Sequence, residues 1–478
     1  MGREEKISGI QSKFCILSPN GDEFGIDEKS NLKEIPIIKN NVALEKLLNI
    51  EILQKDASLG KEPPSVKAMR ALELVDYESA SDPGHFRFYP KGMLIYNLLR
   101  DWAEEIAIKR FNAMEIGTPL IYDWSQPDIK AQGESFHERH YRVQGPTKKK
   151  ELILRFAGDF GLFRMMKNVN MSYKHLPVRI YEFSNSFRYE RSGELVGLRR
   201  LRAFSMPDIH CFCRDLDQGW NEYKSLYENY ADLADETKIE YAIVFRIVED
   251  FYEKYKENII KLLKYSRKPA LIEILSEMKH YWAVKHEFQF IDSVNGNCQL
   301  STVQLDIEDA ERYGITFVNE QGKNQGCIIC HSSVGSIERW IFSILEEALK
   351  KEVPILPLWL SPIQVRILPI TERQVEYSLK ITDKLNKEKI RTELDDRNET
   401  LNKKIRDAEK NWIPYVIIIG DKEIQNQKIS ARIRKDGKQK QMKLDELIKE
   451  VLDETNNMPF RPLPVSMKLS AQPIFVNR

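Results

Sequence analysis

Apolar positions change their spacing along this chain, and the changes mark out its elements. Leu94, Leu98, Trp102 and Ile106 recur at helical spacing, which predicts an amphipathic helix over 93–110. A strand is predicted over 114–122, around Pro119. Short apolar runs at 152–156, 178–183, 203–206, 288–291 and 302–307 read as further strands. Residues 216–258 read as helical throughout, as do 65–76 and 340–350, and a turn is predicted at 81–84. Strands here outnumber strand–helix–strand alternations. The expected fold is therefore α+β, a mostly antiparallel sheet with helices around it.

Past residue 360 the pattern changes. Strand, helix, strand, helix and apolar strand alternate over 364–368, 373–388, 390–394, 399–410 and 415–419, which predicts a separate α/β domain with a parallel core. Pro354, Pro357 and Pro362 punctuate the boundary, and 59–64 reads as a linker. The expected partition is a short N-terminal segment over 1–65, whose role the pattern leaves open, a main domain over 66–358 and a C-terminal domain over 359–478.

Composition narrows the class. The chain has 478 residues, 42% hydrophobic and 30% charged, enough for real cores. It has no run of eighteen apolar residues to cross a membrane, and Met1 to Lys6 lacks the apolar core of an export signal. Six cysteines in this length suit a reducing cytoplasm rather than a disulfide framework. Net charge is only +1, yet residues 361–478 carry 24 Lys and Arg against 18 Asp and Glu. Positive charge gathered there points to a phosphate-backbone partner, with a solvated charged face as the alternative.

The densest polar stretch runs from Phe187 to His210. Five arginines, 188, 191, 199, 200 and 202, lie in it. Guanidiniums on both arms of a hairpin are costly unless they meet anions, and their forks grip phosphates bidentately. The arrangement suggests a triphosphate site; surface ion pairing with Glu190 and Glu194 is the other reading. Gly335 and Arg339 open the helix that follows. Cys327, Cys330 and His331 match the spacing of a haem attachment site, but the segment reads as a strand and no export signal precedes it. Cys211 and Cys213 alternate on a strand and read as packing residues.

Phe187 to Glu190 with the arginine loop to Phe204 resembles motif 2 of class II aminoacyl-tRNA synthetases. Gly335 to Arg339 resembles motif 3, and Pro119 stands where motif 1 has its proline. Leu198 to Phe204, Pro207 to His210, Thr302 to Asp306 and Gly420 to Glu423 are closest to the threonyl branch of that family. Leu74 to Gly92 is similar to its archaeal type. The resemblance covers roughly residues 65–460.

That resemblance implies a ligase that joins threonine to tRNA(Thr) through an adenylate. Arg188 and Arg339 would be catalytic. Arg188 would meet the α-phosphate, Gln299 the α-phosphate or the ribose, Arg200 the γ-phosphate side, and Glu190 the adenine amino group, with Phe204 and Arg339 stacking the adenine. Mg²⁺ would accompany ATP. Asp208 would bind the amino group of threonine, and Thr302, Gln304, Tyr281 and Trp282 would line its pocket. The family holds Zn²⁺ with Cys, His and His. Here the corresponding positions are Asp159, His210 and Cys330, with His331 as the alternative to Cys330; direct contact of Asp159 with the amine, without zinc, remains open. Asn398, Glu423 and Arg432 match the anticodon-reading positions. Motif 1 implies a homodimer. Only about 65 residues precede the match, fewer than the editing domain of archaeal relatives needs. Serine is therefore expected to be misactivated, with editing left to a separate protein.

Overall fold

The computed structural model describes residues 11–39, 41–53, 61–135, 139–145, 150–278 and 281–476; Met1 to Lys6, and Leu59 and Gly60 of the predicted linker, lie outside them. The chain divides into two compact units. One comprises 1–62 and 103–343, the other 63–102 and 344–478. Residues 66–102, expected with the main domain, cluster with residues 344–478.

The first unit is built on a ten-stranded sheet. In order across it lie Glu23–Ile26, Ser12–Leu17, Ala270–Leu275, Ala242–Val248, Trp282–Ile291, Asn297–Asp306, Ile328–Ser333, Ala203–Cys213, Val178–Phe187 and Met114–Glu115. The strands from Ala242–Val248 to Val178–Phe187 pair antiparallel throughout. This is the expected α+β arrangement. Helix Leu216–Glu236 covers one face, capped by the Asp215 side chain, which accepts from the Gln218 N–H at 2.8 Å. Its Trp220, Tyr223, Tyr227 and Tyr230 return at helical spacing and are buried. With that face sealed, the polar residues of the central strands collect on the other.

Three expectations need correction. Residues 216–258 are not one helix, because Ala242–Val248 is a central strand between Leu216–Glu236 and Glu249–Ser266. Lys238 takes φ +59, ending the first helix, and the run Ile243, Val244, Phe245 then buries both its faces in the sheet. Nor is 114–122 one strand. Met114–Glu115 pairs with Ile180 and Tyr181, while Ile121–Asp123 joins a separate sheet with Glu151–Leu154 and Arg142–Gln144. Between them the Thr118 N–H donates to the Glu182 carboxylate at 2.8 Å instead of to a strand, and Pro119 has no N–H to give. Finally, 65–76 is not one helix, since Ser65–Ala71 is helical and Val75–Tyr77 is a strand. The N-terminal segment, whose role the pattern left open, joins the main sheet. Ser12–Leu17 and Glu23–Ile26 extend the main sheet, and helix Val42–Glu51 packs Leu44, Leu47 and Leu48 over Val244 and Leu271.

The second unit holds a five-stranded sheet. Thr392–Leu394, Val365–Pro369 and Tyr415–Ile419 are parallel; Ile429–Ile433 and Gln439–Met442 continue it antiparallel. Helices Val375–Lys387, Leu401–Lys410 and Leu444–Glu454 complete the α/β pattern expected there. The predicted long helix begins at Pro90 and is regular to Glu104; its last turns, Glu105–Arg110, widen into a π-helix.

Candidate active site

The arginine hairpin is Val178–Phe187 paired with Ala203–Cys213, from Val178 opposite Phe212 to Phe187 opposite Ala203. Its five arginines have different employments. Arg202 is buried and gives Nε and Nη2 to the Glu190 carbonyl, at 2.8 and 2.6 Å, with its guanidinium 4.1 Å from the Tyr189 ring centre. It staples the loop. Arg199 donates to buried Asp292 at 2.6 Å, passing over Gly296, where a Cβ would lie 1.6 Å from its Nη1. Arg200 pairs with Glu190 at 2.8 Å and Glu194 at 2.9 Å, the ion pairs that the alternative reading named. Arg191 is exposed. Arg188 turns inward: its Nε donates to the Phe156 carbonyl at 3.0 Å, and its guanidinium stands 5.2 Å from the Phe204 ring centre.

Arg188 lies between two groups of charges. Burial and then the like charge of Arg339 lower its pKa, while Glu190, Asp159 and Asp208 act the other way. Arg339 is held by the carbonyls of Arg199 at 3.1 Å and Gln299 at 3.0 Å, and its N–H by Ser336 at 3.2 Å. The turn before it needs glycine, because Gly335 has φ +96 and a Cβ there would meet the Leu300 carbonyl oxygen at 2.6 Å. Burial raises the Glu190 carboxyl, but Arg200, Arg139 and Arg188 outweigh it and hold it below its usual range. Arg188, Glu190, Phe204, Gln299 and Arg339 thus form one cationic and aromatic wall, with Arg200 tied to it through Glu190.

Two rows of side chains floor the other end. Strand register aligns Glu182, Asp208, Ser333 and Thr302, and in the next row Ile180, His210, His331 and Gln304. Asp208 is 5% exposed, and its Oδ1 has no hydrogen-bond partner among the described residues. Burial, then the charge of Asp159, pushes its pKa up to about 8. Ser333 and Ser184 act against that rise by hydrogen bonding to the carboxyl, and the Oδ1 atom is left open to a further donor. The Gln304 Oε1 accepts from the Tyr281 hydroxyl at 3.1 Å. Trp282 is buried opposite Asp306. Thr302 is otherwise engaged, its hydroxyl donating to the His286 carbonyl at 2.7 Å.

His210 and His331 are direct cross-strand partners, and the His210 Nε2 lies 3.2 Å from the Asp159 Oδ1. One ligand atom each from Asp159, His210 and His331 lie within 4.8 Å of one another. Nitrogen, nitrogen and oxygen donors at this spacing fit Zn²⁺ with a position left open. Cys330 does not join them, which corrects its expected place. It pairs with Cys211 one residue out of phase, so strand alternation turns it to the helix-covered face beside Glu222 and Tyr223. His331, the alternative, takes the position.

Some residues of the site had been given no role. Asp306 lies 2.7 Å from His331, and Asp309 lies close by. Arg155 binds Glu182 at 2.7 Å and Thr118 at 2.7 Å under the floor. Alternation along 302–306 puts Asp306 on the face of Thr302 and Gln304; that signal was available.

The match to known proteins agrees with this geometry. Residues 141–348 match the model of the tRNA synthetase class II core domain (G, H, P, S and T), and 364–454 that of the anticodon binding domain. The threonine–tRNA ligase of Methanocaldococcus jannaschii is 40% identical over 486 residues, covering 99% of this chain and 77% of that protein. That of Thermococcus onnurineus is 42% identical, covering 98% and 74%. The chain belongs to the threonine–tRNA ligase family. Among solved structures, the RNA binding domain of threonyl-tRNA synthetase from Cryptosporidium parvum superposes with a TM-score of 0.70 at 25% identity, over 83% of this chain and 98% of that one.

In this family member the second unit carries the other predicted residues. Asn398 is exposed in the loop after Thr392–Leu394, and Glu423 lies in the first turn of the helix after Tyr415–Ile419. Both are at carboxyl ends of parallel strands, where open α/β sheets bind ligands. Glu423 accepts from the Gly420 N–H at 3.0 Å, and Arg432 pairs with Glu409 at 3.3 Å. Arg434 is committed to the carbonyls of Pro354 and Glu409, at 2.7 and 2.9 Å.

Proposed function

We propose that this chain activates threonine with ATP and transfers it to tRNA(Thr). The observation that carries the reading is the unpartnered carboxylate oxygen of Asp208 beside the Asp159, His210 and His331 group. An N–H of the substrate amino group satisfies the first. The second would hold Zn²⁺, which when bound supplies coordination for the amino and hydroxyl groups. A site that ligates the hydroxyl rejects valine, as an apolar pocket of the same shape does not. Gln304 and Tyr281 line the remaining wall.

A threonine carboxylate oxygen attacks the α-phosphorus of ATP, and the bond to the β-phosphate oxygen breaks, releasing pyrophosphate. A terminal ribose hydroxyl of tRNA then attacks the threonyl carbonyl and AMP leaves. Little of this needs a covalent protein group; positioning and cationic stabilisation carry it. Arg188 meets the α-phosphate, and Glu190 accepts from the adenine amino group. Phe204 and Arg339 stack the ring, Gln299 holds the ribose side, and Arg200 leaves Glu194 for the γ-phosphate. Mg²⁺ accompanies the phosphates.

Residues 66–358 are the aminoacylation part and 359–478 the anticodon part, reading bases through Asn398, Glu423 and Arg432. The exposed Met114, on the edge strand of the main sheet, and the exposed Leu120 and Ile121, at the start of the smaller sheet, support a homodimer. Serine keeps the hydroxyl and lacks one methyl, so it enters the same site. No described helix is long and apolar enough to cross a membrane. Amino-acid-dependent ATP–pyrophosphate exchange tests the reading. Exchange with threonine, weaker with serine and about a hundredfold or more weaker with valine, is the expected result. Absence of exchange with every amino acid would sink it.

A further inference from the structure

His331 could serve either of two groups. One is Asp159 with His210, the other Asp306 with Asp309, and both sets meet metal-ligand spacing. The contacts of Asp306 decide between them. Its Oδ1 accepts two backbone N–H groups, from Glu308 at 2.8 Å and Asp309 at 2.9 Å, which fix the turn into helix Asp309–Tyr313. Its Oδ2 lies 2.7 Å from the His331 Nε2. Asp306 is 1% exposed, so this carboxylate is engaged at both oxygens and shut away from water. A carboxylate accepts and does not donate. The Nε2 of His331 therefore carries the proton, and its Nδ1 keeps the lone pair.

We infer that Asp306 is a positioning residue: anchored by its own turn, it holds His331 in the Nε2–H tautomer so that Nδ1 completes a metal site with Asp159 and His210. The inference rests on the metal reading above. It assigns Asp306 and Asp309 no ligand role. It also explains why the strand carries aspartate at this place: a histidine ligand needs a fixed tautomer and ring orientation, and a carboxylate behind it raises its basicity. Asp309 pairs with Arg312 and also faces Asp306 and His331, so its own variant is part of the test.

The test is zinc affinity of the full chain, by competition with a chromophoric chelator, for wild type, Asp159→Asn, Asp306→Asn and Asp309→Asn. Asparagine at 306 keeps an oxygen for the turn but faces His331 with an N–H. Expected are loss of stoichiometric zinc in Asp159→Asn, a tenfold to hundredfold weaker constant in Asp306→Asn, and little change in Asp309→Asn. Unchanged affinity in Asp306→Asn, with loss in Asp159→Asn, overturns the inference and leaves the metal reading standing. Loss in Asp306→Asn and Asp309→Asn with retention in Asp159→Asn places the ion in the other group and overturns it too. A wild type that binds no zinc removes the metal reading and this inference together. If Asp306→Asn does not fold, the wild type suffices. In ¹⁵N-histidine-labelled protein stripped of zinc, the His331 signal, assigned by its absence in His331→Gln, should show Nε2 protonated; Nδ1 protonation overturns the proposal.

Discussion

His210 and His331 stand directly opposite each other on the antiparallel strands Ala203–Cys213 and Ile328–Ser333, with ring centres 5.0 Å apart. Every neighbour on that face is set by the same register. Cys330 is turned away by it, although it adjoins His331 in sequence. Elemental analysis should therefore find about one zinc per chain in wild type and in Cys330→Ala, and none in His331→Ala. Zinc lost from Cys330→Ala and kept in His331→Ala would contradict the register argument.

Arg188 is the one arginine of the hairpin directed at both ends of the site. Arg188→Ala should lower kcat for threonine-dependent exchange by about a hundredfold to a thousandfold, the usual cost of removing a positioned transition-state donor. Arg202→Ala acts differently, because Arg202 fastens the loop through the Glu190 carbonyl, the Ser192 hydroxyl and the Tyr189 ring. Its effect should fall first on Tm and on the KM for ATP. Steady-state kinetics beside melting curves separates the two.

Gly335 precedes the helix that presents Arg339. Alanine there carries a strained φ of +96 and a contact of 2.6 Å with the Leu300 carbonyl oxygen. The strain alone costs about 1–3 kcal/mol. Gly335→Ala should lower Tm by several degrees and weaken ATP binding with it. A variant that melts and binds ATP like wild type would refute the argument.

Glu338 is buried beside Arg339 in sequence, and its carboxyl accepts from the Ser205 N–H at 3.1 Å. Burial pushes its pKa up to about 7, while hydrogen bonds hold it partly back. In the unfolded chain a glutamate titrates near about 4.3. The folded pKa is the higher one, so the contribution is fully present below about 4.3 and is lost as pH rises through about 7. The total is on the order of 3 kcal/mol. Glu338→Gln should flatten this part of the slope. The difference in Tm between variant and wild type, followed from pH 5 to pH 8, should move in favour of the variant as pH rises. No trend in that difference would refute it.

The sequence already held the architecture in outline. Alternating apolar runs made the sheet legible, and the α/β alternation past residue 360 marked the second element set. Failures came where local propensity competes with tertiary pairing. Ala242–Val248 sits between two strong helices, and nothing local says that its β-branched run will be a central strand. The short strands of residues 12–26 carry too few positions for periodicity to show, and gain their order from Ala270–Leu275 beside them. In the site, Arg188, Glu190, Asp208 and His210 stood out because charged residues in strand patterns need a reason.

The sequence by itself determined which chemistry was available: arginines for phosphate, carboxylates for an amine, and for a metal an aspartate and a histidine with either Cys330 or His331. Tertiary structure alone decided which side chain faces which. Strand alternation sends Cys330 and His331 to opposite faces, and a single residue of register separates them. It also brings Asp159, far away in sequence, within 3.2 Å of His210, and closes the Asp306 turn behind His331. Such contacts join residues 25 to 51 positions apart. No spacing rule reaches that far, because only pairing across a folded sheet sets distances between side chains so remote along the chain.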